Sequence, residues 1–142
     1  MKFPYQKERS RLFGEIYRPI IEFEIETKFG WTRILAYLDS GADITLLPKS
    51  FIMALKIKVE VDDIKELGGI GGGKIPVIIK EVRMKVVDKI FDAKVAIALI
   101  EDVPYLLGRE YVFKHFETLT LPFLGFNFWI FPNKPLFLDR RF

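Results

Sequence analysis

From Arg18 onward the chain alternates apolar and polar residues with a period of two. Ile21, Phe23, Ile25 and Thr27 fall on one face, and Glu22, Glu24 and Glu26 on the other. That spacing predicts a half-buried strand. Phe29-Gly30 supplies a turn, and residues 31–38 return as a second strand. Residues 49–56 are short enough for one helical turn. Ile57, Val59 and Val61 then alternate with Lys58, Glu60 and Asp62, so a further strand is expected to start there. Residues 77–87 and 91–100 read as two more strands, joined by a turn at Asp88-Lys89. Residues 117–121 and 126–131 read as a terminal hairpin around 122–125. The ends lack this periodicity: 1–16 is charged and irregular, an arm, and 132–142 is a tail. The expectation is one domain over 17–131.

Three stretches interrupt the pattern. The first is Leu38-Asp39-Ser40-Gly41-Ala42-Asp43, where an apolar strand stops and a second apolar run, 44–47, follows at once. Asp-Ser-Gly alone is ordinary turn chemistry. A carboxylate between two apolar runs is costly to bury unless it is paired, hydrogen-bonded or neutralised.

The second is Gly68-Gly69-Ile70-Gly71-Gly72-Gly73-Lys74, flanked by strand-like sequence. It formally fits a phosphate-binding G-x-x-x-x-G-K loop. Ile75 stands where that motif needs Ser or Thr, however, and Pro76 and a β-rich run follow where it needs a helix. A glycine-tipped hairpin fits better, since glycine bends freely and lets another backbone approach.

The third is Leu106-Leu107-Gly108-Arg109-Glu110, followed by Val112, Phe113 and Phe116 at helical spacing. A short C-terminal helix is expected there.

In this order the three stretches resemble the retroviral-type aspartic proteases, the retropepsins. The resemblance spans about 18–131. It implies an all-β fold: a closed, mostly antiparallel acid-protease barrel with a glycine-tipped flap and one short C-terminal helix. It implies that Asp39 is catalytic and that Ser40, Gly41, Ala42, Asp43 and Arg109 support its loop, Arg109 by gripping Asp43. Gly68, Gly69, Ile70, Gly71 and Gly72 would form the flap over an extended peptide. Glu110 stands where the family more often has Asp or Asn. One such aspartate motif per chain implies a homodimer, because the chemistry needs two carboxylates sharing a proton. No cofactor is implied. The alternative is an inactive retropepsin-fold binding or scaffold module.

Composition narrows the rest. The chain has 142 residues, half of them hydrophobic, with 14 Phe and a net charge of +3. That is globular, and the scattered basic residues give no nucleic-acid footprint. The absence of cysteine removes disulfides, thiolate metal sites and cysteine catalysis. With no apolar leader at the N-terminus and no uninterrupted apolar span, the expectation is a cytoplasmic protein free of the membrane. The three glutamates splay along one strand without a histidine partner, so no metal site is expected. His115, the single histidine, is assigned a surface or packing role, and Met53 and Met84 are assigned to core filling. The aromatics of the terminal hairpin suit a core or a subunit interface equally.

Overall fold

The structure is a computed structural model that describes residues 2–12, 14–69, 73–121 and 127–132. In chain order the strands are β1 (Lys2–Ser10), β2 (Gly14–Thr27), β3 (Gly30–Leu38), β4 (Thr45–Leu47), β5 (Ile64–Gly68), β6 (Lys74–Val86), β7 (Lys89–Ala98), β8 (Leu106–Leu107), β9 (Phe116–Leu121) and β10 (Asn127–Pro132). The α-helix α1 (Ser50–Ala54) follows β4. Neighbouring strands run β6-β7-β4-β8-β3-β2, and β2 pairs back onto β6 through Phe23–Val86, Glu24–Lys85 and Ile25–Met84. Six strands thereby close a barrel. No helix among the described residues is long and apolar enough to cross a membrane.

The period-two pattern of β2 does what its residues dictate. Ile21, Phe23 and Ile25 are buried and meet Ile34, Ala36, Met84, Val86, Ile97 and Leu107 inside the barrel. Burying each large side chain stabilises the fold by about 1.5–3 kcal/mol. On the opposite face, Glu22, Glu24 and Glu26 pair with Arg33, Lys85 and Arg83 from the adjacent strands, and Lys85 also sits 4.6 Å from the Trp31 ring centroid. A second cluster (Leu46, Val77, Ala96, Ala98 and Val103) covers the other face of β7, so residues 95–98 are all buried. Leu67 and Ile75, from the glycine-tipped hairpin, pack on this second cluster.

Several elements differ from their sequence readings. Residues 2–10 form a regular strand in place of an irregular arm. β1 pairs with β2 over Tyr5–Ser10 and with β10 over Lys2–Pro4, and Phe3 is buried in the core. Its register partners in β2 and β10 supply the order that its composition hides. The alternating run 57–61 makes no strand. No sheet edge reaches it, Val59 and Val61 are exposed, and the chain forms a 3-10 turn at Val61–Asp63 before β5. The β6–β7 turn is Val87-Asp88, one residue earlier than read, with Val87 at φ 57°. The helix expected after Arg109 forms as a turn and a 3-10 helix at Phe113–His115, and Phe116 opens β9. Tyr111 adopts φ 67°, a left-handed value that stops an α-helix from propagating, and among the described residues the α-helix is α1 instead. Met84 fills the core as read, whereas Met53 lies exposed on α1. The terminal hairpin pairs β9 with β10; its aromatic side chains and its turn lie outside the described residues.

Candidate active site

The loop 39–44 leaves β3 and enters β4, yet these two strands do not pair with each other. β8 lies between them, parallel to β3 (Tyr37–Leu106, Leu38–Leu107) and antiparallel to β4 (Leu46–Leu106). A two-residue strand can hold this place because Leu107 is fully buried beneath it. Asp39 therefore emerges at the open end of a braced, three-strand junction.

Main-chain bonds fix the loop. Asp39 N–H donates to Leu107 O at 3.1 Å, and Ala42 N–H donates to Asp39 O at 3.2 Å. Arg109 N–H reaches Ala42 O, and Glu110 N–H reaches Asp43 O, both at 2.8 Å. The Gly41 amide donates to Asp39 Oδ1 at 2.9 Å, which orients the carboxylate. A Cβ at Gly41 would stand 3.2 Å from that same oxygen, so this position favours glycine. Ser40 and Gly41 are exposed at the loop's outer end.

Arg109 does meet Asp43, Nη2 to Oδ1 at 2.6 Å, but through one contact and in solvent: the side chains are 50% and 76% exposed. An exposed pair of this kind contributes little. The stronger brace is one that sequence reasoning did not assign. The Gly108 amide donates to Thr45 Oγ1 at 3.0 Å in a fully buried setting, and Thr45 is the buried polar residue among those described. A Cβ at Gly108 would lie 2.3 Å from the Ile44 carbonyl carbon, so only glycine fits where β8 crosses β4. The available signal was a threonine at the head of an otherwise apolar run, a hydroxyl that needs a partner once buried.

Of the residues expected to form a flap, Gly68 ends β5 and Gly69 N–H bonds Gly73 O at 3.1 Å; Ile70, Gly71 and Gly72 lie outside the described residues. Gly68 pairs with Lys74 across the hairpin, and Lys74 Nζ meets Glu66 at 3.2 Å. The hairpin geometry removes the phosphate-loop alternative, which needs a helix after Lys74.

Two residues before Asp39, Tyr37 donates its hydroxyl to Glu8 Oε1, and Glu8 Oε2 pairs with Arg18 Nε at 2.9 Å. The bond to Glu8, with burial and the carboxylate's charge, raises the Tyr37 phenol above its usual range, while Arg18 opposes the shift. His115 stacks on Phe91 at 4.2 Å, and burial, then Lys89 and Lys114, hold its pKa below the usual imidazole value. Its position is a packing one, as expected.

The retroviral aspartyl protease family matches residues 15–119. The chain belongs to that family, and its fold is the retropepsin barrel. Among solved structures, EIAV protease in complex with the inhibitor HBY-793 aligns at a TM-score of 0.50 and 24% identity, over 66% of this chain and 83% of the other. That likeness speaks for the fold. No curated protein matches the chain.

Proposed function

We propose that the protein is an aspartic endopeptidase, active as a homodimer with Asp39 as its catalytic residue. The observation that carries this reading is the Asp39 loop itself. Its carboxylate is oriented by the Gly41 amide and held at the mouth of the β3–β8–β4 junction by main-chain bonds that leave it open to a partner. Family membership supports the same chemistry.

A single Asp39 cannot perform it. Two copies brought together on a two-fold axis would place their carboxylates within about 3 Å, where like charges cannot both ionise and one proton is shared. The ionised Asp39 accepts a proton from a bound water as its oxygen attacks the scissile carbonyl carbon. The protonated Asp39 of the other subunit donates to the carbonyl oxygen, giving a tetrahedral gem-diol. Collapse breaks the C–N bond, with a proton delivered to the leaving nitrogen. Ser40 would tie the two loops across the axis, and Gly68 to Gly72 would close over an extended peptide bound by backbone pairing.

The test joins solution mass at micromolar concentration with cleavage of a mixed peptide library, with and without pepstatin. A dimer is expected, with pepstatin-sensitive cleavage that is greatest at acidic to mildly acidic pH. Asp39→Asn should lower it by roughly a hundredfold or more. Equal cleavage by Asp39→Asn would sink the assignment, and a stable monomer that cleaves would sink the shared-dyad mechanism.

A further inference from the structure

The run Lys56-Ile57-Lys58-Val59-Glu60-Val61-Asp62 alternates like a strand but pairs with nothing in its own chain. Its main chain is open. The Ile57 amide donates to Ile52 O, and Glu60 O accepts from the Asp63 amide. Among the described residues, the amides of Lys58, Val59 and Glu60 make no main-chain bond. Glu60 is already extended, with φ −116° and ψ 141°. Val59 and Val61 are exposed. Unbonded amides beside exposed β-branched side chains are the features of a sheet edge that lacks a neighbour.

The residue order says which neighbour fits. Read outward from Val59, the segment is complementary to itself. In an antiparallel pair of two copies centred on Val59, Lys58 lies opposite Glu60 of the second copy, and Ile57 lies opposite its Val61. The two-fold axis repeats each contact. Lys56 and Asp62 stand opposite each other at the two ends. There the chain leaves the strand, through φ 54° at Lys56 and the 3-10 turn at Val61–Asp63, so these two add charge and not ladder bonds.

The charges also set the register. Opposite charges across a strand pair attract, and like charges repel. Centring the pair on residue 58 would put Lys58 against its own copy, and centring it on residue 60 would do the same to Glu60. With Val59 as a non-hydrogen-bonded pair, the ladder uses the amides of Lys58 and Glu60, both unbonded within the chain. Lys58 and Glu60 meet in solvent at 3.6 Å, so both charges are within reach of a second copy.

The segment is remote from Asp39. It follows α1, whose Ala54 carbonyl accepts from the Lys28 amide at 2.9 Å beside the β2–β3 turn. From that turn β3 runs nine residues, roughly 25 Å, before the chain reaches Asp39. We propose that residues 56–62 are an interface with a second copy of this chain, an antiparallel strand pair centred on Val59 and separate from any pairing at Asp39. It does not rest on the peptidase reading.

The chain has no cysteine, so an introduced thiol stands alone in each copy. Across the axis the two residues 59 would lie about 4.5 Å apart at Cα, within disulfide reach. The two residues 61 would lie about 14 Å apart, four residues out of register. Full-length Val59→Cys and Val61→Cys are oxidised side by side, and the covalent dimer is followed on non-reducing gels. Val59→Cys should link about tenfold faster, although Val61 is 84% exposed and Val59 only 44%.

Adding Lys58→Glu to Val59→Cys sets like charges across the axis and should slow linking about tenfold. Glu60→Lys in place of Lys58→Glu makes the same clash and should slow it equally, which covers a failure of either variant to fold. The two charge changes together re-pair the strands in reverse and should restore the rate. Equal linking at 59 and 61, no slowing by either charge change, or no recovery in the combination overturns the interface. None of these readings uses peptide cleavage, so the interface and the peptidase stand or fall separately.

Discussion

Glycine serves opposite purposes at two places in this molecule. At the junction that carries Asp39, Gly108 is required because nothing larger fits: its missing Cβ would sit inside the Ile44 peptide group. At the hairpin, a Cβ on Gly68 or Gly73 would meet nothing within 4 Å, so the space is open. The first glycine permits close packing of backbone on backbone, and the second leaves room for something that is not part of the chain. The supports differ in the same sense. The Asp39 loop is bonded from three directions, by Leu107, Arg109 and Glu110, over a buried Thr45. β5 pairs with β6 alone, at the edge of the sheet. The Asp39 loop is thus held on several sides, while the hairpin is paired on one.

That contrast can be broken most directly by alanine. Gly108→Ala should destabilise the fold by about 3 kcal/mol, because the new methyl meets main chain that cannot step aside. Gly68→Ala should change stability by less than about 1 kcal/mol. Paired denaturant titrations check both, and equal costs would erase the distinction. Thr45→Val comes next. It keeps the shape but leaves the Gly108 amide buried without an acceptor, a loss of about 1–3 kcal/mol in the same titration. Arg109→Ala should cost no more than about 1 kcal/mol in thermal or denaturant unfolding, since its ion pair with Asp43 is solvent-exposed. A larger loss would restore the guanidinium as the principal brace and demote the main-chain bonds.

The smallest effect concerns pH. The folded-state pKa of His115 lies below its ordinary value, so the folded state binds this proton less readily than the unfolded chain. The resulting stability is present above the unfolded value of about 6.5 and is lost as pH falls below it. Melting temperature should therefore drop less between pH 7 and pH 5 in His115→Phe than in the parent. Hydrogen exchange should place that acid weakening around Phe91 and the 113–115 turn, and not in the β5–β6 hairpin.

Much of the candidate site was legible in residue order. Leu-Asp-Ser-Gly-Ala-Asp and Leu-Leu-Gly-Arg come together at the β3–β8–β4 junction, and the spatial meeting of Arg109 with Asp43, 66 residues apart, follows from their order. The strength of that meeting was not legible, because exposure is a property of what surrounds a pair and not of the pair. The hydroxyl of Thr45 and the tight seat of Gly108 were equally hidden: each depends on β8 crossing β4, a contact between segments some 60 residues apart.

Local chemistry alone determined the strands whose side chains alternate against a core, as Ile21, Phe23 and Ile25 do, and the turns whose residues carry their own geometry. Period-two burial is written into neighbours along the chain. Tertiary structure decided the exceptions. Residues 57–61 alternate as well as any strand but have no edge to pair with, while Lys2–Ser10 alternates poorly and becomes a strand because β2 and β10 offer it one. Val112, Phe113 and Phe116 have helical spacing, yet the left-handed backbone at Tyr111 turns them into a 3-10 step and the start of β9. A strand's hydrogen bonds are made to another segment, so the sequence of one segment can propose a strand, and only the assembled sheet can accept it.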